Sequence, residues 1–516
     1  VTDAPSTDCG FVRRLLAIAR ADPERVYARF EGDAAVTFGA LDAMSATLAS
    51  YARHNGVAAG DRVAVMMDNS PAALAVIVAL ARAGVVWVPI NTRLVGEGLR
   101  YILDHAEPAM LIADAPHLGV VASAGATPKR IASSHDLRAV LESAAPFEEA
   151  ARFEEAAPSG DALLAIMYTS GTTGPPKGVL VTHQMLRFAG EGVALAGDIA
   201  AGDVLFMWEP FFHVGGAQML ILPMIRDVTL AVAPRFSAGR FWDQVRAAGA
   251  THIHYLGGII QILLKQPRSD LDRRHRVRIA WGGGCPVDAW RPFEERFGVR
   301  VRECYGMTEA SSITTYNDAG VLGSIGTPVP WLSVDLLDEQ GRPVQAGERG
   351  EIVVQALRPG PLFAGYFKDP DATARALRGG AAGWAPVLHT GDLGSRDAAG
   401  RFYFHGRLTD SIRSRGENVS AWEIEHIAAA HPAVEECAAI GVPAEIGEQD
   451  IKLFVKARAG MDIDPRALVG WLSERLAVYQ VPRYIAVVDD FRRTPSQRIV
   501  KRELSQATDG CFDRTA

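Results

Sequence analysis

The chain has 516 residues, 48% of them hydrophobic and 22% charged, which is a globular composition and roughly two to four domains or subdomains in length. A formal net charge of −7 argues against nucleic acid or an anionic membrane surface as a partner, because binding to either is driven by an excess of cations. The five cysteines (Cys9, Cys285, Cys304, Cys437, Cys511) are scattered without CxxC spacing, which excludes a disulfide framework or cysteine zinc site and suits a reducing compartment.

The first residues carry Asp3, Asp8 and the pair Arg13-Arg14 ahead of a short apolar run, LLAIA, a poor signal peptide; a cytoplasmic protein is expected. The run RVAVMM at 62–67 reads as a strand, followed after DNSP by a helix with apolar Leu74, Ile77, Val78 and Ala81. Residues 71–90, PAALAVIVALARAGVVWVPI, have the length of a membrane span, but Arg82, Gly84 and Pro89 divide them into a helix and a strand at 85–90. No integral membrane segment is expected. AMLIAD at 109–114 and LLAIMYTS at 163–170 are further strands, separated by an Ala-rich acidic connector at 142–159. Such alternation predicts βαβ units and a parallel sheet.

From about Gly323 the texture changes to short antiparallel strands joined by glycine turns, as in SVDLLDEQGRPV, GEIVVQ and GRFYFHGR. After Arg407 a third texture runs helix (WEIEHIAAAHPAV), strand (ECAAIGVP), strand (KLFVKA), helix (PRALVGWLSERLA), strand (YIAVVDDF). The expected fold is α/β: a large N-terminal domain, 1–408, with βαβ sheets and a small β-rich subdomain, then a small α+β domain, 409–516. From Thr508 a loose tail is expected.

The strongest local feature is YTSGTTGPPKGVLVTH at 168–183. After a strand it gathers Thr169, Ser170, Gly171, Thr172, Thr173, Gly174 and Lys177, so that hydroxyls, close-approaching backbone N–H groups and one cation surround an anion. It is not a Walker A loop, which would need glycine at Pro176 and Ser or Thr at Gly178. His252 and His254, two apart in THIHYLGG, share one face of a strand, but no third ligand has suitable spacing, so pocket lining is the better reading than metal. Neither a Gly-x-Ser-x-Gly elbow nor HExxH is present, which removes the obvious hydrolases.

TSGTTGPPKG resembles the signature loop of the adenylate-forming superfamily, which contains acyl-CoA synthetases, luciferases and peptide-synthetase adenylation domains. Five later stretches resemble its other motifs in order: EPFFHVGG, WGGGCP, ECYGMTEA, HTGDLG with HGR, and SRGENVSAWEIE; the last is most similar to the carnitine/crotonobetaine-CoA ligase branch. The resemblance implies ATP on the Thr169–Lys177 loop, on Gly283, Gly284 and Cys285, and on Glu303, Tyr305, Gly306, Met307 and Thr308. Tyr305 would stack on adenine, Asp392 and Arg407 would hold the ribose, and Glu309 with Thr169 would hold Mg2+. The acyl pocket it implies contains Trp208, His213, Val214, Gly216, Gly257, Gly258 and Met307, with His213 as lining or gate.

An ionised carboxylate needs no general base to attack the α-phosphate of ATP; it needs positioning and charge neutralisation. The resemblance implies that the C-terminal domain is mobile, turns at Thr409 and Asp410 after adenylation, and brings Ser414, Arg415 and Gly416 to a CoA tunnel. Together these imply a ligase that makes an acyl-AMP from a small or medium acid and passes the acyl group to CoA. Alternatives are nitrite activation for diazotisation of an aryl amine, or loading of a separate carrier protein; a homodimer is also left open. In the family a lysine in Thr-Pro-Ser-Gly-Lys-Ile assists pyrophosphate departure. Here the segment reads TPSQRIVK, so Arg498 stands at that position and Lys501 three residues later, with Lys501 slightly favoured as the functional cation.

Overall fold

The computed structural model describes residues 11–32, 35–126, 128–142, 158–169, 175–256, 259–338, 340–379, 386–407, 411–414, 417–444, 448–492, 499 and 501–515. The β-branched runs of the first half assemble into two sheets. One has six strands in the order Ile131–Ser133, Met110–Ala113, Arg62–Met66, Val86–Pro89, Leu163–Thr169, Lys177–Thr182, parallel except for the last pair. The other has nine, with Arg300–Tyr305, Ile279–Gly283, His252–Leu256, Val204–Met207, Thr229–Val232 and Val26–Phe30 forming its parallel centre.

The span-length stretch divides as its sequence requires. Ser70 accepts the Ala73 N–H, Pro71 opens a helix to Arg82, and Val86–Pro89 returns as a central strand. Every residue from Ala73 to Arg82 is buried, which explains a helix apolar all round in a chain whose described helices include none long and apolar enough to cross a membrane. The buried Arg82 guanidinium is paired with Asp42.

Antiparallel strands Leu332–Leu337, Arg349–Ala356, Val387–Arg396 and Phe402–Arg407 form the β-rich subdomain. Beyond 411 come a hairpin, Ser411–Ser414 with Glu417–Ser420, the helix Ala421–Ala429, and a four-stranded sheet of Val434–Pro443, Gln449–Ala457, Tyr484–Val487 and Phe512–Asp513. Apolar clusters below residue 403 and above residue 411 share no member, so the C-terminal part has its own core.

The expected loose tail is corrected here. Phe512–Asp513 adds a strand beside Tyr484–Val487, Asp513 pairs with Arg483, and the Lys452 ammonium donates to the carbonyls of Ser505 and Ala507. The segment is held by long-range partners that its polar, turn-rich composition does not reveal.

Candidate active site

The phosphate-loop motif is the mouth of a hairpin. Thr169 and Lys177 are directly paired across its two strands, while Ser170, Gly171, Thr172, Thr173 and Gly174 lie outside the described residues. Lys177 holds its ammonium 5.0 Å from the centroid of the Tyr366 ring, and the Tyr366 hydroxyl donates to Glu309 Oε1 at 2.9 Å. One tyrosine thus bridges the expected phosphate cation and the expected metal ligand. Glu309 sits in the short helical turn Thr308–Ala310, beyond Met307, whose carbonyl accepts the Ala310 and Ser312 N–H groups. Two successive residues with left-handed backbone, Ser311 (φ 54°) and Ser312 (φ 68°), fold the chain back behind it. Gly306 is obligatory, because a Cβ there would lie 1.5 Å from the Ser312 carbonyl oxygen.

Tyr305, at the end of its strand, donates its hydroxyl to Asp392 Oδ2 at 2.7 Å, so the two residues expected at adenine and ribose touch. Asp392 is buried, its N–H is held by Thr390 Oγ1, and its backbone is paired with that of Arg407. The glycine turn Gly283-Gly284-Cys285 is shaped from below by Glu303. That carboxylate accepts the N–H groups of Gly284 (2.5 Å) and Cys285 (3.1 Å) and the Tyr255 hydroxyl (2.6 Å). Burial raises its pKa to about 7 against the three hydrogen bonds, which favour the anion. Glu303 therefore builds the turn, holding three protein donors on its two oxygens.

On the acyl side, Trp208 Nε1 donates to the His254 carbonyl at 2.9 Å, and His213 caps the short turn Val214–Ala217. A Cβ at Gly216 would lie 2.0 Å from the Pro210 carbonyl oxygen, so glycine is required for that turn. His252 does not line a pocket: its ring bonds the Gly197 carbonyl and Thr251 Oγ1. His254 is buried and meets Glu209. Gly257 and Gly258 lie outside the described residues.

The C-terminal hairpin is docked beside His213. Glu417 accepts from His213 Nε2 at 2.9 Å and is paired with Arg93. Desolvation beside the docked hairpin, with the guanidiniums of Arg93 and Arg413, lowers the pKa of the partly exposed His213. Arg93 also lies 5.2 Å from the Tyr479 ring centroid, and Asn91 Nδ2 donates to the Tyr479 hydroxyl at 3.2 Å. Ser414 is buried at the hairpin end; Arg415, Gly416, Thr409, Asp410 and Arg498 lie outside the described residues. Lys501 is held 2.6 Å from Glu425 on its own domain.

Sequence reading missed Tyr366, Arg93, Glu417 and Glu209. The last two carried a signal: each is a carboxylate inside a run otherwise reading as buried or glycine-tight, MWEPFF and SRGENV.

Residues 16–367 match the AMP-binding enzyme family and residues 423–498 its C-terminal domain. The crotonobetaine/carnitine–CoA ligase of Salmonella typhi is 32% identical over 471 residues, 87% of this chain and 89% of that protein. A double mutant of o-succinylbenzoate CoA synthetase from Bacillus subtilis, bound with its product analogue, superposes with a TM-score of 0.83 at 25% identity, covering 96% of this chain and 98% of that one. The same synthetase with its acyl-adenylate intermediate superposes at 0.67 and 26% identity over the same shares.

Proposed function

Since this chain belongs to the AMP-binding, adenylate-forming enzyme family, we propose that it activates a small or medium carboxylic acid with ATP and transfers the acyl group to CoA. In the first step a carboxylate oxygen of the acid attacks the α-phosphorus, the bond to pyrophosphate breaks, and acyl-AMP forms. In the second the CoA thiol adds to the acyl carbonyl, loses its proton, and AMP leaves with the thioester formed.

The observation that carries the first step is the convergence of Lys177, Tyr366 and Glu309 at the hairpin mouth, next to the Tyr305–Asp392 pair. Lys177 and the hydroxyl loop draw on the β- and γ-phosphates, and Asp392 accepts the ribose hydroxyls. Glu309 offers a hard oxygen ligand of the type Mg2+ takes, with Thr169 as a second; bound there, the ion neutralises phosphate charge. Tyr366 fixes the Glu309 carboxylate, and Tyr305 fixes Asp392 while offering its ring to adenine.

Support for the second step comes from the docked hairpin. Glu417 on His213 brings the 411–420 hairpin to the acyl side, which fits a role for Ser414, Arg415 and Gly416 beside CoA. The higher similarity to the product-analogue form than to the acyl-adenylate form favours the same orientation. We divide the chain at 408/409 with Thr409 and Asp410 as hinge; the other orientation carries Lys501, or Arg498, to the α-phosphate.

A panel of acids incubated with ATP, with and without CoA, and read by mass spectrometry tests this reading. Acid-dependent AMP and pyrophosphate, plus acyl-CoA when CoA is present, is expected. Pyrophosphate released only with nitrite and an aryl amine would overturn the ligase assignment.

A further inference from the structure

Glu209 lies in the loop after the strand Val204–Met207 and is 1% exposed. Asn69 fixes its backbone from both sides, donating Nδ2 to the Glu209 carbonyl (2.8 Å) and accepting the Phe211 N–H (2.9 Å). Glu209 Oε1 meets His254 Nδ1, and His254 in turn packs its ring 4.0 Å from that of Trp281, its cross-strand neighbour. The other oxygen, Oε2, is buried and has no hydrogen-bond partner among the described residues. Leaving half of a buried carboxylate unmatched is costly, and a purely structural Glu–His pair gives no reason for it.

Gly215 lies against both members of the pair. A Cβ added at Gly215 would meet only Glu209 Cγ at 3.9 Å and His254 Cε1 at 4.0 Å, both ordinary contacts. Gly216 must be glycine because the Pro210 carbonyl is in the way; no such clash applies at Gly215. The lack of a side chain at Gly215 keeps the turn after His213 clear of the Glu209 and His254 side chains by ordinary contact distances.

We infer that Glu209, seated on His254, is a specificity-determining residue that accepts a hydrogen bond from an amino or hydroxyl group on the acyl body of the substrate. This rests on the acid-activating reading above and narrows it to amino or hydroxy acids. A donor-bearing acid satisfies Oε2, whereas its unsubstituted counterpart leaves that oxygen desolvated and unpaired. A site built around such an acceptor rejects the analogue lacking the donor by about 10,000-fold or more, while an apolar pocket separates the two by about 100-fold at most.

The test uses matched acids, benzoate against the aminobenzoates and hydroxybenzoates and butyrate against 3-hydroxybutyrate and 4-aminobutyrate, with kcat/KM for pyrophosphate release as readout. The wild type is expected to favour a donor-bearing member of at least one set by about 10,000-fold. The variants are Glu209→Leu and Glu209→Leu with His254→Phe, the second replacing the whole polar pair by apolar residues in case the first folds poorly. Either should shrink that ratio to about 100-fold or less, the range an apolar pocket allows. Comparing amino with hydroxyl members identifies the donor. A wild type without preference, or a double variant retaining the wild-type ratio, overturns the inference. Calorimetric titration of the same acids separates the two readings: no pyrophosphate with any acid counts against acid activation, while the matched affinities still decide the role of Glu209.

Discussion

Glu303 shapes the glycine turn expected at the nucleotide from beneath. Its carboxylate draws in two N–H groups of the glycine turn, so Glu303→Leu leaves both unpaired at a cost of about 1–3 kcal/mol each. Its proton is held more tightly in the folded chain, with a pKa of about 7, than in the unfolded chain at the ordinary value of 4.5. The contribution of this proton to stability is therefore fully present below pH 4.5 and is lost as the pH rises through about 7. The difference in melting temperature between the wild type and Glu303→Gln, measured from pH 4.5 to 8, should shift against the wild type across that window and then level off. A constant difference would contradict this. The sequence motifs named Tyr305, Asp392, Lys177 and Glu309, because each stands in a string whose spacing carries chemistry. They could not name Tyr366, which reaches Glu309 from 57 residues away through a tertiary contact.

At the scale of elements, the C-terminal domain docks against the helix Gly96–Ala106 through missing side chains. A Cβ at Gly98 would lie 2.3 Å from Glu423 Oε1, and one at Gly96 would lie 2.7 Å from the Arg475 carbonyl oxygen. Gly98→Val should obstruct this docking. Thioester formation should then slow at least about tenfold, a barrier increase near 1.4 kcal/mol, while pyrophosphate release in a CoA-free single turnover stays at the wild-type rate. Equal slowing of both steps would show that the helix serves the whole site instead. Elements with strong local pattern, such as the buried helix Pro71–Arg82 and the strands around it, were legible because burial imposes an apolar run that Ser70 and Pro71 punctuate. The final strand was not, since Phe512–Asp513 is two residues long and depends on Arg483 and Tyr484 across the sheet.

For the whole molecule, separate apolar cores before residue 403 and after residue 411 are compatible with one site serving two steps. The orientation described has Glu417 on His213 and Lys501 on Glu425. A turn of the C-terminal domain would part Glu417 from His213 and carry Lys501 and Glu425 along together. If Lys501 then reaches the bridging phosphate oxygen, Lys501→Ala should slow adenylation about 100-fold or more, while conversion of supplied acyl-AMP to acyl-CoA continues. Arg498→Ala should do the same if the guanidinium is the cation, so the pair of variants assigns the role. Wild-type adenylation in both would remove this segment from the chemistry. The six motifs made the family legible from end to end; orientation was not, because it depends on contacts between domains that leave no local pattern.

The most direct test of the account follows an oxygen atom. An acid labelled with 18O in its carboxylate is incubated with ATP, CoA and the enzyme, and the AMP formed is weighed by mass spectrometry. Attack of the carboxylate on the α-phosphorus leaves one labelled oxygen in AMP after the acyl group has passed to CoA, and that is the expected result. Unlabelled AMP alongside acyl-CoA, or ADP in its place, would contradict an acyl-adenylate intermediate.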